Sequence, residues 1–106
     1  MAKRSKPKFY KVLLKRNPEV FNALEKLGKA TRAAGPIDAR TAHLVHLAAA
    51  AAIRSEGAVH SHTRRAIEAG VTAEEIRHAL IMLLSTIGMP AVVAALSWAE
   101  DVFEEK

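Results

Sequence analysis

The sequence predicts an all-α fold, a single small domain of about five helices that assembles into oligomers. Apolar residues recur at helical spacing, and no segment shows the alternation of a strand bounded by turns. The length of 106 residues is that of one domain. Apolar residues make up 50% of the chain, but many are alanine and bury little area. A small, alanine-rich core favours oligomerisation as a further source of stability.

The first sixteen residues differ in charge from the rest of the chain. They hold seven of the sixteen basic residues and no acid, whereas the net charge of the whole chain is +5. Residues 17–106 hold the nine other basic residues and all eleven acids, so the formal net charge of this segment is −2. We therefore divide the chain into a basic N-terminal arm, residues 1–16, and a helical domain, residues 17–106.

Start signals mark the first two helices of the predicted domain. Asn17 suits the N-cap and Pro18 the first helical position, and this helix should end before residues 35–36, which are Gly-Pro. Asp38 should cap a second helix that continues to about Ile53. The second helix is apolar on almost all sides and rich in alanine, which is typical of a buried helix.

Glycines and a capping box divide the second half of the chain. Gly57 should interrupt the chain before a third helix over about residues 58–69. Residues 72–75, Thr-Ala-Glu-Glu, form a capping box that begins a fourth helix. Gly88 should end that helix, and the last helix should carry apolar residues as far as Phe103.

The composition excludes several classes of protein. The chain has no cysteine, which excludes disulfides, thiol peroxidase chemistry and thiolate metal sites. No stretch reaches the roughly 18 apolar residues of a membrane span, and no apolar signal segment follows the basic N-terminus. We therefore expect a soluble, cytoplasmic protein with no membrane partner.

Four histidines are the main candidates for chemistry. His43 and His46 are three residues apart and share a face of the second helix, and His60 and His62 lie near the start of the third. If these helices form a hairpin, the four imidazoles could converge into a cluster that suits proton transfer or a metal. Their spacing matches no standard zinc motif, so we expect neither a metal nor a cofactor. The competing interpretation is that they are buried or solvated histidines without a role in catalysis.

Two charged residues accompany the histidines. Glu56 beside an imidazole would orient the ring and make it more basic, and Arg64 could hold the carboxylate of a substrate. The alternative for Glu56 and Arg64 is that each is a charged side chain in contact with solvent only. For two further charged residues of the third helix, Arg65 and Glu68, we prefer this alternative.

A nucleic-acid-binding function that uses the basic arm is a further, weaker alternative. Residues 66–80 imitate a helix-turn-helix, with a Gly-Val-Thr turn at residues 70–72. The second helix of this motif would begin with Glu74 and Glu75, which would place two acids against phosphates and base edges. We therefore expect that nucleic acid is not a partner.

The same segments resemble the carboxymuconolactone decarboxylase family, which includes the alkylhydroperoxidase D-like proteins. The resemblance covers about residues 18–103 and begins with the alanine-rich second helix. It continues through these segments in order: residues 62–66 (His-Thr-Arg-Arg-Ala), Gly70, residues 72–76 (Thr-Ala-Glu-Glu-Ile) and residues 87–91 (Ile-Gly-Met-Pro-Ala). The resemblance implies an alkylhydroperoxidase D-like helical bundle that forms trimers or hexamers.

The peroxidase branch of this family uses a glutamate, two cysteines and a histidine at fixed spacing. When that histidine is aligned on His62, the cysteines fall at Ser55 and Ala58 and the glutamate falls at His43. A serine hydroxyl is not oxidised to a sulfenic acid and back, so the resemblance does not extend to peroxidase activity.

The decarboxylase branch is the closer chemical match. His62 and Arg64 match its histidine and arginine, and Glu56 matches one of its two acidic positions, whereas Ala58 occupies the other. The resemblance implies a lyase acting on a dicarboxylate lactone.

We therefore expect a cofactor-free enzyme that acts on a small anionic lactone or keto acid. The resemblance assigns His62 as general acid and base, with Glu56 or His43 as its partner. The residues expected to bind the substrate are Arg64, His60 and His46. A catalytically silent oligomeric module of the same family, serving in binding or assembly, is the main alternative.

Overall fold

The computed structural model describes residues 8–105 and confirms the all-α fold. Within that range the chain forms seven helices and no strand: α1 (Lys8–Arg16), α2 (Pro18–Ala33), α3 (Ala39–Ala52), α4 (Glu56–Glu68), α5 (Ala73–Ile81), α6 (Leu84–Ile87) and α7 (Met89–Phe103). These helices fall into two compact units, residues 8–38 and residues 39–105. None of the described helices is long and apolar enough to cross a membrane.

Helices α1 and α2 make up the first unit. The part of the predicted arm that the structure describes is helical, because α1 occupies residues 8–16, whereas residues 1–7 lie outside the described range. Helix α2 begins at Pro18, as predicted, and the Asn17 carbonyl accepts hydrogen bonds from the backbone N–H groups of Val20 and Phe21. The helix ends at Ala33, shortly before the Gly-Pro pair.

The second unit holds α3 to α7 around a core of small side chains. Helix α3 packs along α4, and α4 and α5 both pack against α7. Half of the fully buried cluster is alanine, so the helix backbones lie close together and each residue buries little area. The members are Leu47, Ala50, Ala51, Val59, Ala66, Val71, Ile76, Leu80, Ala95 and Ala99.

The break between α3 and α4 lies before Gly57, which corrects the prediction. The backbone N–H of Arg54 bonds to the Ala51 carbonyl, and the N–H of Ser55 bonds to the Ala50 carbonyl, in a Schellman motif. Arg54 has a φ of 57°, so a residue with a side chain adopts the left-handed conformation here. The Ser55 hydroxyl then caps α4, and Gly57 lies inside its first turn.

The joint between α4 and α5 is as predicted. Gly70 has a φ of 94° and ends α4 in a second Schellman motif, in which the Val71 N–H bonds to the Ala66 carbonyl at 2.9 Å. The Thr72 hydroxyl and the Glu75 carboxylate complete the capping box that begins α5.

The predicted fourth helix is divided into α5 and α6. At the division the Leu83 N–H bonds to the Leu80 carbonyl, three residues back, instead of the carbonyl four residues back. This tighter turn ends the regular helix, and a short helix follows. Gly88, with a φ of 91°, then redirects the chain into α7.

Candidate functional site

The hairpin of α3 and α4 brings His46 against His62. The centroids of the two rings are 5.2 Å apart and the ring planes differ by 16°, so the imidazoles are stacked. Both side chains are half-buried, and the Nδ1 atom of His62 is shielded from solvent. Such a pair can accept and donate protons.

His43 lies one turn before His46 on the same face of α3. Its Nδ1 atom is also shielded from solvent. Helix α3 therefore presents two imidazoles on one side, and the stacked ring of His62 lies on that side. We call His43, His46 and His62 the imidazole group.

His60 belongs to a different cluster. Residues two apart on a helix point about 200° away from each other, so His60 and His62 lie on different sides of α4. The Nε2 atom of His60 is 3.0 Å from Oδ2 of Asp101, on α7, and 3.9 Å from Oε2 of Glu56, one turn earlier on α4. The structure therefore divides the four histidines between two clusters and does not gather them in one.

Glu56 was expected beside His62, but its carboxylate lies beside His60. Asp101 was not identified from the sequence as a functional residue. It lies 41 residues after His60, and only the packing of α7 on α4 brings the two side chains together. No local spacing in the sequence signals that contact.

Arg64 is paired with an acid of this chain. Its Nε donates to Oε1 of Glu105 at 3.2 Å, and its Nη2 donates to Oε2 of the same carboxylate at 3.0 Å. The two side chains are 13% and 7% exposed and line a cleft of about 430 Å³ with apolar walls. Arg64 follows His62 by two residues and so lies on the other side of α4. The geometry therefore does not support the prediction that Arg64 holds a substrate beside His62.

A second arginine joins α5 to α7. Arg77 donates from Nε to Oε2 of Glu100 at 2.6 Å and from Nη2 to Oε1 at 3.2 Å, and its guanidinium lies 4.9 Å from the centroid of the Phe103 ring. The hydrogen bonds from Arg77 hold the pKa of the Glu100 carboxyl below its ordinary value. This contact stabilises the packing of the two helices and lies outside both histidine clusters.

The Glu75 carboxylate at the start of α5 is hydrogen-bonded within the chain. The Glu75 carboxylate accepts from the backbone N–H of Thr72 at 2.9 Å and from Nη2 of Arg40 at 2.6 Å. The backbone N–H of Thr72 and then the Arg40 side chain hold the pKa of Glu75 below its ordinary value. Glu74 beside it is exposed. An acidic, internally paired helix start is unfavourable for a DNA-reading helix.

A family model and two similar proteins match most of this chain. Residues 18–101 match the family model described as the carboxymuconolactone decarboxylase family. Two similar proteins come from Methanocaldococcus jannaschii, and both are described as uncharacterised. One is 32% identical over 85 residues, which cover 80% of this chain and 79% of the relative. The other is 30% identical over 93 residues, which cover 87% of this chain and 89% of the relative.

The structural comparison leads to the same family. The fold is similar to the crystal structure of an apo carboxymuconolactone decarboxylase family protein from Legionella pneumophila. The TM-score is 0.73 at 25% sequence identity, and the match covers 88% of this chain and 86% of that one.

Proposed function

The chain belongs to the carboxymuconolactone decarboxylase family, and we propose that it is a histidine-dependent enzyme whose reaction on a small anionic substrate needs no cofactor. The observation that carries the proposal is the stack of His46 on His62 within the α3–α4 hairpin. A carboxylate-bearing lactone or a keto acid is the proposed substrate class. The family description supports the first of these, and general acid–base chemistry suits both.

In the proposed reaction His62 acts as general acid and base. When the substrate loses carbon dioxide, the carbon–carbon bond to the carboxylate breaks and its electron pair stays on the substrate. The imidazolium of His62 donates a proton to that carbon, and the imidazole then recovers a proton from water. Acid–base groups of this kind accelerate reactions by about 10²–10⁴-fold.

The other two members of the imidazole group have a supporting role in this proposal. The ring N–H groups of His43 and His46 donate hydrogen bonds to the substrate carboxylate, while His62 exchanges the proton. We assign neither Glu56 nor Arg64 to this site, since their side chains contact His60 and Glu105.

Hydroperoxide reduction is not part of the proposal. The thiol mechanism of the peroxidase branch needs a cysteine that forms a sulfenic acid, and the sequence has none. Turnover of an organic hydroperoxide with a thiol donor would count against this assignment.

The proposal is tested by following carbon dioxide release from a panel of carboxylate lactones and keto acids. The wild type is compared with His62→Ala, and the control is His78→Ala, which removes an exposed histidine of α5. We expect turnover that His62→Ala lowers and that the control preserves. If the protein turns over no member of the panel, and if no member stabilises the folded chain, the result favours the alternative of a catalytically silent module.

A further inference from the structure

The cluster around His60 has no part in the proposed reaction. It consists of Glu56, His60 and Asp101, which we call the His60 cluster, and it lies between α4 and α7. The residue His60 is only 7% exposed, whereas the side chains of Glu56 and Asp101 are 59% and 44% exposed. One fixed imidazole therefore lies under two carboxylates that solvent reaches.

The distances in the cluster match the coordination sphere of a metal ion. Bonds of about 2.1 Å place two neighbouring ligand atoms about 3.0 Å apart in an octahedron and about 3.4 Å apart in a tetrahedron. His60 Nε2 and Asp101 Oδ2 form a hydrogen bond of 3.0 Å, which equals the octahedral spacing, so a metal ion would replace the proton between them without moving either atom far. His60 Nε2 and Glu56 Oε2 are 3.9 Å apart, and the three donor atoms all lie within 4.8 Å of one another.

Only Glu56 has to move to complete the set of ligands. Its side chain is the most exposed of the three, so a rotation that shortens its distance to His60 by less than an ångström meets little obstruction. His60 and Asp101 are held by the packing of α4 on α7, which provides a rigid pair for the first two bonds.

Within residues 39–105 the carboxylates of Glu56 and Asp101 form no ion pair with a lysine or an arginine. In that range Arg64 pairs with Glu105 and Arg77 pairs with Glu100. Carboxylate oxygens and an imidazole nitrogen are donor atoms that bind a divalent cation.

We propose that Glu56, His60 and Asp101 bind a divalent first-row transition metal ion at the α4–α7 contact. One nitrogen and two oxygen ligands suit Zn²⁺, Co²⁺ or Ni²⁺, because imidazole is a good ligand for these ions and a poor one for Mg²⁺ and Ca²⁺. The three ligands would occupy one side of the ion and leave the solvent side open to water.

The site is separate from the imidazole group and does not depend on the proposed enzymatic function. His60 and His62 lie on different sides of α4, so loading the metal leaves the stack of His46 on His62 untouched. The sequence alone predicts no metal, because the histidine spacing matches no standard zinc motif and because Asp101 reaches His60 only through the packing of α7 on α4.

Calorimetric titration of the untagged, chelator-treated protein with Zn²⁺ and Co²⁺ tests the proposal, with Mg²⁺ as the comparison ion. The variants are Asp101→Asn and Glu56→Gln, and the matched control is Glu104→Gln, an exposed acid beyond the end of α7. Thermal melting of each variant without metal shows whether it is folded. Co²⁺ also broadens the NMR signals of nearby protons, which identifies the histidine that binds.

We expect one ion per chain with a dissociation constant in the micromolar range and a melting temperature that rises with Zn²⁺ concentration. Asp101→Asn should weaken binding at least tenfold, Glu56→Gln should weaken it less, and Glu104→Gln should leave it unchanged. Co²⁺ should broaden the ring signals of His60 before those of His62. Binding that is absent below 1 mM, equally tight for Mg²⁺, or unchanged in a folded Asp101→Asn variant would overturn the proposal.

Discussion

At the scale of single residues, helical periodicity decides which side chains act together. His60 and His62 are two residues apart on α4, yet one contacts Asp101 and Glu56 and the other stacks on His46. Sequence proximity suggested one cluster, whereas the rotation of about 200° between such positions produces two. The proton-transfer and metal-binding proposals therefore concern different sides of the same helix.

Thr63 shows how a single buried group affects stability. It lies fully buried on α4, and within residues 8–105 its Oγ1 atom has no hydrogen-bond partner. A buried hydroxyl without a partner costs about 1–3 kcal/mol, so Thr63→Val, which keeps the shape, should raise the free energy of unfolding by about 1 kcal/mol. Urea titration measures this change.

The control for this substitution is Thr63→Ala, which removes the hydroxyl but leaves a cavity and should lower the free energy of unfolding. A decrease in the valine variant would contradict the prediction, since it would mean that the hydroxyl makes a favourable contact.

At the scale of the helices, side-chain caps determine where α4 and α5 begin. The Ser55 hydroxyl accepts from the Ala58 N–H at 3.2 Å, and the Thr72 hydroxyl accepts from the Glu75 N–H at 3.0 Å. Loss of such a cap costs about 1 kcal/mol, so Ser55→Ala and Thr72→Ala should each lower the free energy of unfolding by about that amount. Thr86→Ala, in the exposed part of α6, is the control and should have a smaller effect. Equal changes in the free energy of unfolding in all three variants would show that the two capping hydrogen bonds do not stabilise the fold.

The ion pair between α5 and α7 makes stability depend on pH. Because Arg77 lowers the pKa of Glu100, the folded chain binds a proton there less readily than the unfolded chain. The contribution of the ion pair to the free energy of unfolding is therefore complete above the ordinary carboxyl pKa of about 4.3. This contribution is lost as the pH falls through the lowered pKa of Glu100. The difference in stability between wild type and Glu100→Gln should thus shrink between pH 5 and pH 3 in chemical denaturation. A difference that stays constant over this range would contradict the assigned cause.

The sequence predicts helices well where a local signal marks their ends. Pro18, Gly70 and the capping box at Thr72 are read from neighbouring residues, and the structure places helix ends there. The turn at Arg54 was missed because a non-glycine residue adopts a left-handed conformation only within its particular hydrogen-bonding motif. The contact of Asp101 with His60 was missed because it arises from helix packing, which no local spacing records.

At the scale of the whole molecule, exposed apolar side chains indicate further association. In α2 the apolar positions recur with helical spacing, and no residue of that helix is buried. In the second unit, large apolar side chains are exposed on several helices and on the turns that follow α3 and α5. These are Val45, Ile53, Ile67, Ile81, Met82, Leu84, Met89 and Val93. A single chain rarely exposes so many apolar groups without a partner.

We therefore predict a homo-oligomer, a trimer or a hexamer as the family resemblance implies. Light scattering at micromolar concentration should give three or six times the mass of 11.5 kDa. Leu24→Glu, on the apolar side of α2, should lower the mass, whereas Lys26→Glu, on the opposite side of that helix, should not. A stable monomer for the wild type would contradict the prediction.

The central claim is that His62 is present for catalysis and not for packing. The direct test compares His62→Ala with the wild type. It measures the turnover of whichever lactone or keto acid the wild type converts, and it measures the thermal melting and the oligomeric mass of both proteins. The account predicts a turnover lower by about 10²–10⁴-fold, with melting and mass nearly unchanged. Unchanged turnover, or a loss of about 1–3 kcal/mol in the free energy of unfolding from an unpaired buried group, would contradict it.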